Sequence, residues 1–444
     1  MNELLRQIPQ VDKLLNNEYL AHLPSHLAKQ IIQSQISRFR DKIIAGEIKV
    51  FELQDIINAI LKEFDSLKLS SLKHVINATG ITVHTNLGRS PISDDIYDNV
   101  KKIATRYSNL EYDMTQGKRG DRYHHLNKFS PYLFEDYEVL LVNNNAAAVF
   151  LILNTFSKNK QTIVSRAELV EIGGGFRIPE VMSNSSALLC EVGTTNKTRI
   201  SDYEKAITDQ SAILMKVHQS NFSIVGFTEE ASLDEIVTLG KEKGLVSYYD
   251  LGSGILQKLN FSKDENTIQE LCKKGLDIIS FSTDKLIGSI QGGIILAKKE
   301  LMSSLKQNQL LRMLRADKLT IAIVEESLKK YLFGEHNDIF TYKMLNEEPN
   351  NLKEKAQKLH SLVSSFIQSS VLQTTTFAGG GSMPNEQIIS YGISLKVKNI
   401  TNLEKYLRAN SIIARIENEC VILDVRTIFD DEFETIKEVI KGYK

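Results

Sequence analysis

Between residues 139 and 298 the chain repeats one pattern: a short apolar run, then a small polar or glycine-rich turn, then a stretch with helical spacing. VLLVNNNAAAVFLILNTF, TIVSRAELVEIGGGF, ALLCEVGTTNKT, AILMKVHQSNF, LVSYYDLGSGIL and DIISFSTDK all begin this way. The runs are continuously apolar instead of alternating, so both faces of each strand must be covered. That requires an α/β fold with a mostly parallel sheet between layers of helices. In such sheets a ligand sits at the carboxyl ends of the strands. Asn143–Ala147, His218, Asp250 and Lys285 each follow a strand end. They are therefore expected to face one crevice.

Lys285 lies in DIISFSTDKLIGSIQGGIILAKK, on the turn Ser282-Thr283-Asp284-Lys285 after the apolar run 277–281 and before a glycine-rich segment and a second strand over 294–297. An amine so placed is poorly hydrated. Its ammonium form is disfavoured, and the neutral amine attacks carbonyl carbon. That is what a Schiff-base lysine needs, and pyridoxal phosphate is the carbonyl cofactor that suits it. Ser-x-x-Lys alone also fits a surface hairpin or an unrelated serine enzyme, so the partners decide. Asp250 is placed to keep a pyridine nitrogen protonated. Asn143, Asn144, Asn145 and Ala146 open a helix whose free N–H groups suit a phosphate, with Ser282 as an added hydroxyl. His218 is a flat group able to stack on the ring. Against each stands a plainer role: a strand-end hydrogen bond for Asp250, an N-cap for the asparagines, a structural histidine for His218. An aspartate after a strand, a few dozen residues before the lysine, is the order of the aspartate-aminotransferase-like fold (fold type I).

Around this core the sequence divides into three. Residues 1–72 read as helices, with Asp12 and Ser25 as expected caps and Arg38, Arg40 and Lys42 near one helix end. Residues 73–330 form the catalytic domain, and residues 331–444 a smaller α+β domain. The segment 107–125 is a long polar loop, with Arg119, Arg122 and His124 as anion-contact candidates. LLRMLRADKLTIAIVEESLKKYL reads as one helix, broken near Asp317, with Arg312 and Arg315 as neighbours on one face. A length of 444 residues exceeds one core, and a formal net charge of -1 gives no overall signal for nucleic acid. No apolar run is long enough for a membrane span. The 3 scattered cysteines, Cys190, Cys272 and Cys420, suggest neither a disulfide framework nor a metal cluster, so a reducing cytoplasm is expected.

INATGITVHTNLGRSP, VNNNAAAVFLILN, SRAELVEIGGGFRIPE, CEVGTTNKT, KVHQSNFSIVGFTEE, YYDLGSG, STDKLIGSIQGGII and LLRMLRADKLT resemble, in order and over nearly the whole chain, the signature blocks of the bacterial selenocysteine synthases. These are the L-seryl-tRNA(Sec) selenium transferases. The resemblance implies a pyridoxal phosphate enzyme that turns seryl-tRNA(Sec) into selenocysteinyl-tRNA(Sec) with selenophosphate, by way of an aminoacrylyl-tRNA. It also implies an N-terminal domain that holds the tRNA, and a homo-oligomer built as a ring of dimers, with a decamer expected. By position in the family, Arg89, Arg312 and Arg315 bind selenophosphate, and Asp284 assists departure of the serine hydroxyl.

The sequence departs from the family's usual glycine at Thr283, Gly-Pro at Ser289-Ile290, glycine at Ala167 and serine at Gly175. Glycine often marks a backbone angle that other residues resist, so a reshaped lysine turn is expected. Two other readings follow: a pyridoxal phosphate β-elimination lyase acting on a free small amino acid, and a tRNA-binding protein without catalysis. The helical N-terminal segment and the arginine pair argue against the first. Lys285, Asp284 and Asp250 argue against the second.

Overall fold

A computed structural model of the chain describes residues 2–169, 171–172, 175–219, 224, 226–262, 265–383 and 386–443. It comprises two compact units, Met1–His74 and Val75–Lys444. Among the described residues no helix is long and apolar enough to cross a membrane.

The first unit is helical. Its main elements, Ser25–Ile44 and Leu53–Lys68, bury Ile31, Ile32, Ile36, Ile56, Ile57 and Ile60 against one another. The caps differ from expectation by one or two positions. Asp12 lies inside the helix Val11–Leu15 behind Gln10, and Ser25 is the first helical residue behind Pro24. A reciprocal cap starts the fourth helix, where Asp55 accepts the N–H of Glu52 at 2.8 Å. Arg38 lies on the exposed face, 3.3 Å from Glu63.

In the second unit seven strands form the central sheet: β1 Tyr137–Val142, β2 Gln161–Ser165, β3 Leu188–Val192, β4 Ser211–Val217, β5 Val246–Ser253, β6 Ile278–Ser282 and β7 Gly293–Lys298. Their order in space is β1-β7-β6-β5-β4-β2-β3. The pairs from β6 through β5, β4 and β2 to β3 are parallel, and β7 runs antiparallel to both β6 and β1. β7 reverses because the glycine-rich segment after Lys285 returns the chain as a hairpin, with no crossover helix. The strand residues alternate between two buried clusters, one on each face. Leu140, Val142, Ile278 and Ile295 pack under the helix Asn145–Phe156 on one side. Val139, Leu141, Ile279 and Ile294 pack under Lys318–Leu332 on the other. This two-sided burial is the reason the strands read as continuous apolar runs.

The last hundred residues build a four-stranded antiparallel sheet from β8 Ser369–Thr376, β9 Ile388–Leu395, β10 Arg415–Glu417 and β11 Cys420–Asp424, in the order β8-β9-β11-β10. The helices Pro349–Val363, Ile400–Ala409 and Phe433–Lys441 share its core. Ile76 and Ala78 belong to this core as well, since Ile76–Asn77 pairs with Ile412–Ile413. Gly80 then passes Asp424 so closely that an added Cβ would lie 2.3 Å from its carboxylate. The chain thus starts its second unit inside the C-terminal layer before entering the large sheet.

Candidate functional site

β5 carries Asp250 to the carboxyl edge of the sheet, and a bulge between Asp250 and Gly252 extends the strand to Ser253. The carboxylate is buried. Its Oδ1 accepts from Asn145 Nδ2 at 2.8 Å, Gly252 N at 3.1 Å and Ser280 Oγ at 3.3 Å. Burial raises the Asp250 pKa. The amide of Asn145, the N–H of Gly252, the charge of Lys285 and the hydroxyl of Ser280 oppose that rise in descending order. Tyr248 extends the network, its hydroxyl 2.8 Å from Ser280 Oγ.

The three asparagines after β1 do three different things. Asn143 joins the sheet edge, its N–H donating to the carbonyl of Leu314 at 2.8 Å. Asn144 is the N-cap of Asn145–Phe156, its side chain accepting from Ala147 N at 2.8 Å. Asn145 turns to Asp250, and its own Oδ1 is buried without a hydrogen-bond partner among the described residues. Ala147 is capped, and the N–H groups of Asn145 and Ala146, first in the helix, have no intrahelical acceptor. The cap turn lies against β7 because position 293 is glycine: a Cβ there would stand 2.2 Å from the carbonyl oxygen of Asn144.

His218 follows β4. Its N–H donates to the carbonyl of Asp250 at 2.8 Å, and its ring Nδ1 lies 3.0 Å from the hydroxyl of Tyr249. Glu265 lies 3.7 Å from Nε2. Behind it, buried Glu168 accepts from Val217 N at 2.8 Å and from Lys216 Nζ at 3.0 Å. Burial raises the Glu168 pKa, against the opposing charge of Lys216. Asn221 and the first two glycines of Gly173–Gly175 lie outside the described residues.

Lys285 stands on the turn after β6 and is buried. Burial lowers its pKa, the guanidinium of Arg89 lowers it further, and Asp250 and Asp284 act in the opposite sense. Asp284 pairs with Arg89 at 2.7 Å. Arg89 is held there by a left-handed backbone, φ 64°, directly after Gly88 at φ 91°. Ser282 is the last residue of β6, in register with Ser253 and Gly293. Neither Thr283 nor Ser289 has a positive φ. Both residues use ordinary backbone, and both hydroxyls are bonded, Thr283 to the carbonyl of Ile290 within the loop and Ser289 to Ser327 on the helix Lys318–Leu332.

Arg312 and Arg315 require a correction. They do not share a helix face. A short helix, Leu311–Leu314, ends before Arg315, which is extended, and Asp317 caps the next helix, Lys318–Leu332. The sheet edge causes the break: Arg315 forms an antiparallel bridge with Val142, and Asn143 binds the carbonyl of Leu314. Both arginines nevertheless line one cavity of about 250 Å³, together with Arg119, Arg122, Lys306 and Glu111. Arg315 lies 3.6 Å from Glu111. Arg122, proposed for an anion, is buried and committed to Glu111 and to the carbonyl of Ala316. His124 is tied to the carbonyl of Asp121. Arg119 is exposed, 3.4 Å from Glu111. Within one chain, then, Arg89 meets the lysine turn, whereas Arg312 and Arg315 meet a separate cationic cavity.

Among the described residues no group of three His, Cys, Asp or Glu side chains is arranged to hold a metal ion. A buried amine of lowered pKa, a buried carboxylate braced by three donors, and a helix N-terminus with open N–H groups together fit pyridoxal phosphate. Sequence reasoning missed Asn145 as the brace of Asp250, and Tyr249 and Glu168 behind His218. Tyr249 adjoins Asp250 in the strand, and that adjacency was the one available signal.

The family model of the L-seryl-tRNA selenium transferases matches residues 75–429. The chain is 49% identical to the L-seryl-tRNA(Sec) selenium transferase of Nautilia profundicola, over 99% of this chain and 98% of that protein. It is 48% identical to that of Aliarcobacter butzleri, with the same coverage of each chain. Among solved structures it resembles D-glucosaminate-6-phosphate ammonia-lyase, with a TM-score of 0.60 and 16% identity, over 85% of this chain and 97% of that one. That likeness is one of fold.

Proposed function

This chain belongs to the L-seryl-tRNA selenium transferase family, and from that premise we propose that it converts L-seryl-tRNA(Sec) to L-selenocysteinyl-tRNA(Sec), with pyridoxal phosphate as cofactor and selenophosphate as selenium donor. The observation that carries the reading is the meeting of Lys285, Asp250, His218 and Asn145 at the carboxyl ends of neighbouring strands.

Lys285 is the amine that would bear the cofactor, Asp250 would serve its ring nitrogen, and His218 would stack on the ring. The N–H groups of Asn145 and Ala146, behind the cap of Asn144 and beside Asn143 and Ser282, receive the phosphate. When bound, the cofactor draws electron density from the α-carbon of the seryl group. The Lys285 amine takes the α-proton and passes it to the β-hydroxyl, which leaves as water, so the proton count closes. Asp284 pairs with Arg89 at 2.7 Å. Held by that pair, it orients the departing hydroxyl and the protonated lysine by accepting from them. Arg89, Arg312 and Arg315 hold the oxygens of selenophosphate, a task suited to guanidinium. Selenium bonds to the β-carbon as selenophosphate gives up its proton to Lys285, which delivers that proton to the α-carbon; water then cleaves the selenium–phosphorus bond and leaves the selenol and phosphate.

The reading divides the chain into a tRNA-holding helical domain (1–72), a cofactor domain (73–330) and a small C-terminal domain (331–444). It places the enzyme in the cytoplasm as a homo-oligomer, a ring of dimers with ten copies expected. The test is the visible absorption spectrum of the purified protein, with Lys285→Ala as control. A cofactor band that is lost in the variant, and that shifts with seryl-tRNA(Sec) but not with free serine, is expected. A band indifferent to seryl-tRNA(Sec) would favour a lyase acting on a free amino acid, and no band after reconstitution would end the reading.

A further inference from the structure

The loop bearing Lys285 leaves β6 at Ser282 and rejoins the sheet at Gly293, and hydroxyl groups hold it from several sides. Ser90 Oγ donates to the carbonyls of Asp284 at 2.9 Å and Lys285 at 2.7 Å. Across the neck of the loop, Thr283 Oγ1 donates to the carbonyl of Ile290 at 2.5 Å, and the N–H of Ser289 returns to the carbonyl of Thr283 at 2.9 Å. Two further bonds arrive from the helix Lys318–Leu332. Ser327 Oγ donates to Ser289 Oγ at 2.8 Å, and Tyr331 Oη donates to the carbonyl of Ile287 at 3.0 Å. Ser327 and Tyr331 are one helical turn apart, so both reach the loop from one face. Thr283, Ser289 and Ser327 are buried. A buried hydroxyl is costly unless it is bonded, and each of these is bonded. The fit at the neck is close: a Cβ on Gly292 would lie 2.8 Å from Thr283 Oγ1.

We infer that Thr283, Ser289, Ser327 and Tyr331 form a clamp that fixes the loop bearing Lys285, and through the loop the buried place of its amine. They are positioning residues for that amine, and the inference rests on the reading of Lys285 as the cofactor-bearing group. The loop itself has few backbone ties: Thr283 N to Gly292 O at 3.0 Å, Ser289 N to Thr283 O and Gly288 N to Lys285 O at 2.9 Å. Burial of the amine is therefore only as complete as side chains make it.

The experiment is competitive acetylation of the cofactor-free protein with trace acetic anhydride over a pH series. Lys285 is quantified against the other lysines by peptide mass spectrometry. In the unsubstituted protein Lys285 is expected to titrate below the exposed lysines; titration with them would sink the reading beneath the inference. Thr283→Val combined with Ser327→Ala deletes two donors while nearly keeping shape. Its Lys285 midpoint is expected to rise by about half a pH unit or more toward an ordinary lysine. Thr283→Ser should restore the lower midpoint. Tyr331→Phe loses one hydroxyl from a packed ring and serves if the combined variant does not fold. An unchanged midpoint in folded variants, even with a lower melting temperature, overturns the clamp as a positioning device.

Discussion

The Lys285 crevice and the Arg312–Arg315 cavity are built on opposite electrostatic terms. In the crevice the buried charges are few, Asp250, Asp284 and Lys285. Asp250 is pushed up by burial and held by three donors, while Lys285 is pushed down by burial and by Arg89. In the cavity the cations are several, and they range from buried Arg122 to exposed Arg119. Arg119, Arg122, Arg315 and Lys306 gather around the carboxylate of Glu111 and its neighbours, with room for a small anion. The first arrangement shifts how a group titrates. The second changes only what gathers there. On the proposed reading, chemistry belongs to the crevice and capture of a charged donor to the cavity, and substitutions should separate the two.

The largest effect should come from Lys285→Ala. Loss of both the cofactor-bearing amine and the proton carrier should lower single-turnover conversion of seryl-tRNA(Sec) at least about 10⁴-fold, with the circular dichroism spectrum intact. Next, Asp250→Asn keeps shape but removes the charge facing the ring nitrogen. Turnover should fall by about 10²- to 10³-fold, and a smaller loss would mean that Asn145 and Ser280 position the ring without needing the carboxylate. The cavity should respond differently. Arg312→Ala and Arg315→Ala should each raise the KM for selenophosphate about 10- to 100-fold while leaving cofactor affinity, read by equilibrium dialysis, unchanged. A loss of cofactor affinity in either variant would erase the distinction between the two regions. Arg122→Ala, by contrast, should act on folding. It takes the buried partner from Glu111, leaving Arg119 and Arg315 beside that carboxylate, and strands the carbonyl of Ala316, at a cost of about 1–3 kcal/mol in urea unfolding.

The contrast also explains what could be read in advance. Strand-end residues were legible because a parallel sheet places every strand terminus on one edge whatever the details, so Asp250, His218 and Lys285 had to converge. The arginine pair was misread as one helix face because the helical spacing of LLRMLRADKLT is genuine. The break comes from Val142 and Asn143, distant in sequence, which capture the backbone of Leu314 and Arg315. The asparagine run was read as one cradle, yet a carboxylate about a hundred residues away recruits Asn145. What Thr283 and Ser289 do could not be read locally, because their partners, Ile290 and Ser327, meet them only in the folded chain. Local pattern foretold the elements. Long-range hydrogen bonds assigned the individual side chains within them.

The smallest effect is the most direct measure of the buried amine. The folded protein lowers the Lys285 pKa, chiefly through burial. Between that lowered value and the ordinary lysine value near about 10.4, the unfolded chain carries more protons than the folded one. Stability must then rise with pH across this window, and below it the desolvated amine is a standing penalty. Lys285→Met keeps the length of the side chain and removes the titration. In the cofactor-free state the variant should melt at a higher temperature than the parent at neutral pH. The difference should shrink as pH rises through the window and vanish near the ordinary lysine value. A difference that stays constant with pH would mean that the amine is as well hydrated as the cations around Glu111, and the electrostatic contrast between crevice and cavity would fail.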